Sequence, residues 1–176
     1  MANAADSGVP GPERRLFYLA ALGIVVLDLI TKLIAEATLL RTPGVSVFGD
    51  WFQLRLVYNQ GAAFGLHVGP YSRWIFFTIA LVAVFVLARM SRTSPVGDRF
   101  RQTALGLVAG GAVGNLIDRV RSPRGVVDFL DVGVGALRWP TFNVADIAVS
   151  CGAIALAISL WREDARRPEP ESASAA

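Results

Sequence analysis

Two short stretches repeat one arrangement, an asparagine followed three positions later by an aspartate. Asn115 and Asp118 stand in GNLIDR, and Asn143 and Asp146 in FNVAD. At that spacing amide and carboxylate share one helical face. Asp28 and Lys32, four apart in LDLITK, share a face in the same way and can pair. Asp128 sits between Val127 and Phe129 in a short apolar run, where desolvation favours the protonated acid. Two carboxyl groups brought together at a dry site, here Asp128 and Asp146, cannot both ionise easily and share a proton. The ionised member then takes a proton from a water that attacks a peptide carbonyl, and the protonated member hydrogen-bonds the carbonyl oxygen. Residue types alone leave the pair open among Asp28, Asp118, Asp128, Asp131 and Asp146. Asp118 is the poorer candidate, because adjacent Arg119 would hold it charged.

The elements that must position these groups belong in a membrane. The chain has 176 residues, 53% of them hydrophobic and only 18% charged, with a mean hydropathy of +0.49. Its apolar residues come in long runs, and about 20 of them are needed to cross about 30 Å of hydrocarbon. Four windows qualify: Leu16 to Ala35, Tyr71 to Met90, the glycine-rich Ala104 to Val120, and Phe142 to Trp161. The first is too long for a signal-peptide core and lacks a small-x-small cleavage site, so it reads as a retained helix. Ionisable groups inside spans cost a few kcal/mol each, roughly, on insertion scales, and each requires an explanation. The Asp28–Lys32 pair reads either as mutual neutralisation that lets the helix insert or as a device that orients other polar groups. Gly106, Gly110 and Gly114 form a smooth stripe on the third span, and Asp146, Ser150, Ala153 and Ala157 a comparable one on the fourth; both favour close helix packing.

An even number of spans puts both termini on one side. That side would carry nine arginines, including Arg89, Arg92, Arg99 and Arg101 of a short loop, against seven on the other. The bias favours cytoplasmic ends. The net charge of +3 then reads as juxtamembrane arginine facing anionic lipid rather than as a nucleic-acid surface. Cys151 is the one cysteine and His67 the one histidine, which excludes an intrachain disulfide, a Cys-rich metal site and a His-based triad. The end segments, 1–12 and 168–176, are expected to be disordered. Between the first two spans, WFQLRLVYN alternates with a strand period, and VSVFGD suggests a preceding strand and a turn at Gly49-Asp50. The expectation is a small amphipathic sheet on the outer membrane surface, its apolar face on lipid or on a lipidic ligand.

With these blocks in order, LDLITK, NQGAAFG, GGAVGNLIDR, VVDFLD and FNVAD, the chain from about Leu16 to Trp161 resembles the bacterial lipoprotein signal peptidases, the signal peptidase II family. The resemblance implies an integral inner-membrane aspartic endopeptidase. Such an enzyme removes the signal peptide from prolipoproteins, cutting before a cysteine that already carries diacylglycerol. It implies catalytic Asp128 and Asp146, supported by Asp28, Lys32, Asn59, Gly61, Asn115, Asp118, Arg119 and Asn143. It implies an all-α polytopic membrane protein, with four transmembrane helices and a small periplasmic β-sheet, or cradle, between helices 1 and 2. A short helix-forming stretch would precede the second catalytic aspartate. The parts are a cytoplasmic tail over 1–15, a membrane peptidase domain over 16–161 with its β segment at 42–70, and a cytoplasmic tail over 162–176. The active site would lie at the periplasmic face. The partners implied are a diacylglyceryl prolipoprotein, membrane lipid and a globomycin-type inhibitor, with no cofactor, no metal and no nucleic acid. Thr141 and Ile147 depart slightly from the family's last motif.

Other classes of function fit parts of the pattern. A proton- or ion-coupled transporter would also carry intramembrane Asp, Asn and Lys, although the four spans show no inverted repeat. A serine enzyme with Lys32 as base would need Ser46 or Ser72 at the same depth. An assembly subunit would need only the glycine stripe.

Overall fold

The computed structural model describes residues 12–61 and 69–165. Among these described residues are four α-helices, α1 (Pro12–Leu39), α2 (Ser72–Thr93), α3 (Arg99–Arg121) and α4 (Val144–Asp164). Four strands accompany them: β1 (Val45–Phe48), β2 (Phe52–Asn59), β3 (Val126–Val134) and β4 (Leu137–Arg138). The expected terminal disorder falls largely outside the described residues, as do His67 and the stretch from Ala62 to Phe64.

The strands form one antiparallel sheet in the order β1-β2-β3-β4. This corrects both the all-α expectation and the confinement of the sheet to the segment between α1 and α2. Half the sheet comes from the chain between α3 and α4. There VVDFLDVGV offered a run of β-branched and apolar residues that suits a half-buried strand. No helix forms between β3 and α4 among the described residues. Instead Phe142 pairs with Leu130, its N–H donating to the Leu130 carbonyl at 3.0 Å, and the Phe142 carbonyl accepts from Leu130 at 2.8 Å. That return folds the start of α4 back along β3.

The sheet's apolar face meets the end of α1. Val127 and Phe129 pack with Ala35 and Leu39, joined by Leu56 and Tyr58 of β2. A helix end, not lipid, therefore covers most of the face that the strand alternation had marked. The β1–β2 turn and the β3–β4 end leave Phe48, Trp51, Val134 and Leu137 exposed.

Three helical segments, Glu13–Leu39, Gly69–Thr93 and Val144–Asp164, are long and apolar enough to cross a membrane. Helix α3 is not, and its position explains why. It packs against all three other helices, so its buried face carries Gln102, Gly106, Gly110, Gly114 and Asp118 where a lipid-facing helix would carry leucine. The exposed apolar residues lie on the outer helices, among them Leu19, Leu22, Ile30, Phe85 and Ile154. The glycine stripe permits the contact. A Cβ on Gly106 would lie 2.6 Å from the Phe17 carbonyl oxygen, and one on Gly110 2.6 Å from that of Ala21. The stripe expected on α4 is displaced. Ala145, Ala148 and Gly152 face α3, while Ser150 and Ala153 are exposed. Small residues occur on both faces of α4, so spacing could not select between them.

Candidate active site

The polar groups gather where the sheet meets the helix ends. Asp128 is the third residue of β3, directly opposite Val57 of β2. Its side chain shares a face with Asn59, two residues along the partner strand, which is the diagonal reach of a sheet pair. Asn59 Nδ2 donates to Asp128 Oδ2 at 3.1 Å. Asp128 is 2% exposed. Burial pushes its carboxyl up to about 7, with the negative charge of Asp146 adding to the rise and the amides of Asn59 and Asn143 opposing it.

Asp146 occupies the third position of α4. Asn143, fully buried, is the N-cap: its Oδ1 accepts from Asp146 N at 3.0 Å, and Asp146 Oδ2 accepts from Asn143 N at 3.1 Å. This reciprocal capping box uses an aspartate where glutamate or glutamine is usual. It answers why an apolar helix starts with Asn-x-x-Asp: the motif satisfies orphan N–H groups of the first turn. The same Asn143 reaches across to Asp128, its Nδ2 donating to Oδ1 at 2.7 Å. Both carboxylates are thus held by one residue, and both line a cleft of about 430 Å³.

The other members divide into two groups. Asn115, on α3, donates from Nδ2 to Asp146 Oδ1 at 2.9 Å. Arg119 lines the cleft beside it and donates to the carbonyls of Gly61 at 3.2 Å and Asn115 at 3.2 Å. Gly61 in turn donates its N–H to Asn59 Oδ1 at 2.9 Å, fixing that amide. Behind this layer lie Asp28, Lys32 and Asp118, each 1% exposed. Lys32 Nζ bonds Asp28 Oδ2 at 2.7 Å, Asp118 Oδ2 at 2.9 Å and Asn115 Oδ1 at 2.9 Å. Asp28 Oδ1 accepts from Ala145 N at 2.9 Å, a second orphan N–H of α4. Asp118 Oδ2 accepts from Val127 N at 3.1 Å, tying α3 to β3 one residue before Asp128.

Two expectations change here. Arg119 does not hold Asp118; Lys32 and Arg121 do, the latter through Nε at 2.9 Å. The repeated Asn-x-x-Asp also serves two purposes: at the start of α4 Asn143 and Asp146 cap the helix and Asp146 lines the cleft, while on α3 Asn115 lines it and Asp118 turns to the buried cation. Asp131 lies apart, its Oδ1 taken by Arg138 Nε at 2.8 Å. Residues that were not anticipated form a latch behind the site: Glu36 accepts from Arg121 at 2.9 Å and from the Tyr58 hydroxyl at 3.1 Å, and Arg124 stacks on the Tyr58 ring at 4.0 Å. The lone signal for it was an acidic residue near the end of a long apolar helix.

The apolar wall of the cleft is built by Trp139, Pro140 and Phe142 on one side and Ile147, Val149 and Cys151 on the other. Cys151 is exposed there. No lysine–serine pair is formed among the described residues: the three partners of Lys32 are two carboxylates and an amide, and the Ser72 hydroxyl donates to the Gly69 carbonyl.

The comparisons with known proteins agree with one another. Residues 20–162 match the family model described as signal peptidase (SPase) II. A lipoprotein signal peptidase of Nitratidesulfovibrio vulgaris is 40% identical over 161 residues, covering 90% of this chain and 93% of the relative. Another, of Oleidesulfovibrio alaskensis, is 37% identical over 154 residues, covering 86% and 97%. Among solved structures, a bacterial membrane enzyme determined in meso at 2.3 Å resolution superposes with a TM-score of 0.77 at 30% identity, covering 88% of this chain and 93% of that one. With a family model spanning most of its length and relatives this similar, the chain belongs to the signal peptidase II family.

Proposed function

We propose that the protein is an aspartic endopeptidase of the bacterial inner membrane that removes signal peptides from prolipoproteins, cutting before the diacylglyceryl-modified cysteine. The observation that carries this reading is the arrangement around Asn143: one buried asparagine holds Asp128 by its amide and Asp146 by its backbone and carbonyl, at the mouth of a cleft with an apolar wall. Asp128, buried and raised, is the protonated member that donates to the scissile carbonyl oxygen. Asp146, at the positive end of α4 and beside Arg119, is the ionised member that takes the proton of the attacking water. The tetrahedral intermediate collapses with proton return to the leaving amine. Asn59, Asn115 and Asn143 fix both carboxyl groups, while Gly61 and Arg119 hold the loop that carries Asn59.

Strand pairing supports four crossings. Strand β2 precedes α2 in the chain and strand β3 follows α3, and the two strands pair side by side. That pairing favours a chain that crosses on α2 and returns on α3, despite α3's weak hydropathy. The arginine bias supports cytoplasmic termini, and with them a sheet and dyad at the periplasmic face. A diacylated substrate then reaches the cleft laterally from the outer leaflet, along the exposed apolar surface of α4. A globomycin-type cyclic peptide would occupy the same cleft.

The test is cleavage of a diacylated prolipoprotein peptide by the reconstituted protein. Asp128→Asn and Asp146→Asn are each expected to lower the rate by at least about 1,000-fold, with the helical signal and melting temperature kept. Full activity in either variant would overturn the assignment.

A further inference from the structure

Asn115 stands between the buried cation and the cleft. An asparagine amide can present either its oxygen or its NH₂ to a neighbour, and the surroundings must choose. Here the choice is forced from behind. Lys32 Nζ has only donors, and it meets Asn115 Oδ1 at 2.9 Å. Asn143 Nδ2 donates to the same oxygen at 3.2 Å, and Asn143 is itself oriented by the backbone N–H of Asp146, which its Oδ1 accepts. With its oxygen engaged on that side, Asn115 has only its NH₂ left to turn toward Asp146 Oδ1, at 2.9 Å.

Lys32 does this from within a charge-balanced cluster, and its own charge is felt at Asp128, where it opposes the rise. Its charge is balanced by Asp28 and Asp118, and the second charge of those two carboxylates is balanced by Arg121 on Asp118. What Lys32 passes to Asp146 is the direction of a hydrogen bond. We infer that Lys32 is a positioning residue for hydrolysis: by being a buried donor-only group it sets the polarity of the Asn115 amide, so that a donor faces Asp146 and holds that carboxylate in place. The Asp28–Lys32 pair is therefore more than a means of inserting α1 into lipid. Asp28 holds the first turn of α4 through Ala145 N, and Lys32 aims the amide that faces the third residue of the same turn.

This rests on the proposed dyad, so the experiment first requires that the wild type cleave the diacylated peptide and that Asp146→Asn not; failure there defeats the dyad, not the relay. Lys32→Gln replaces a donor-only group with one that can also accept, which lets Asn115 turn round. Its kcat is expected to fall about 10- to 100-fold, the loss of one hydrogen bond to a charged group, with KM changed less than about twofold. Lys32→Arg, donor-only again, is expected to recover most of that loss.

A second arm does not depend on repacking position 32. Asn115→Asp keeps an acceptor for Lys32 but puts a carboxylate against Asp146, in a cleft also lined by Arg119 and Asp128, with Asp28 and Asp118 on Lys32 behind it. Only its protonated form can donate to Asp146. Its relative rate is therefore expected to rise about tenfold as the pH falls from about 7 to about 5, while the wild type shows no such gain. Wild-type kcat in Lys32→Gln, or an Asn115→Asp profile parallel to that of the wild type, would overturn the inference. A role limited to folding would lower the yield of Lys32→Gln without moving kcat or the pH profile of Asn115→Asp.

Discussion

Asp128 and Asp146 are chemically alike and are made different by where they are anchored. Asp128 is on a strand buried against β2, and its carboxyl is raised to about 7 by burial first and by Asp146 second. Asp146 is at the start of a helix, where N–H groups converge. The acid form of Asp128 exists below about pH 7 and is lost above it, so kcat is expected to fall about tenfold per unit above that point; a steady-state pH profile checks this. The stability consequence has the same sign. The ordinary value is 3.8 and the folded value is higher, so the folded state binds the extra proton between the two. The contribution is complete below about pH 4 and is lost as pH rises through about 7. Asp128→Asn is expected to flatten the pH dependence of the melting temperature across that window.

Two glycines show how elements carry the site. Gly125 has a φ of +110°, and a Cβ there would strike the Asn59 carbonyl. Gly125→Ala is expected to cost about 1–2 kcal/mol and to lower cleavage more than stability explains, because the strand end carrying Asn59 must move away from Asp128. Gly110 does not line the cleft and lies against the Ala21 backbone. Gly110→Leu is expected to push α1 off α3 and cost about 1–3 kcal/mol or more, seen as a lower melting temperature. Lys32 and Asp28 ride on α1, so activity will fall with it. Such close glycine contacts suit a membrane, where van der Waals contact rather than water drives helix association. At the opposite end Ser91 and Gln102 form a buried pair, Oγ to Oε1 at 2.6 Å and Nε2 to the Ser91 carbonyl at 2.8 Å, which fixes α2 against α3.

At the scale of the whole molecule, one sheet closes two distant parts of the chain over the same ends of the four helices. The outer helices face lipid, and α3 is screened from it. The four-crossing arrangement is tested by cysteine labelling in a Cys151→Ala background. Trp51→Cys and Leu137→Cys are expected to react from one side of oriented vesicles with a membrane-impermeant maleimide, and Val96→Cys only after permeabilisation. All three residues are exposed, so failure to react reports the side and not burial. Reaction of Val96→Cys from the same side as Trp51→Cys would defeat four crossings.

Much of this was legible in the residues. Apolar run length marks helices because hydrocarbon thickness is fixed, the alternation in WFQLRLVYN marked β2, and the spacing of Asp28 and Lys32 marked a helical pair. The aspartates were legible as costly groups needing partners, and the family blocks singled out two of them. Periodicity could not reveal that β3 joins β2, because pairing between segments about 70 residues apart leaves no local trace. Nor could it show which face of α4 meets α3, or that Arg121 rather than Arg119 serves Asp118, since side-chain direction at a helix end depends on what is packed there. The order of amides and charges that separates the two carboxylates arises only when α1, α3, β3 and α4 meet, for hydrogen-bond direction is a property of neighbours in space.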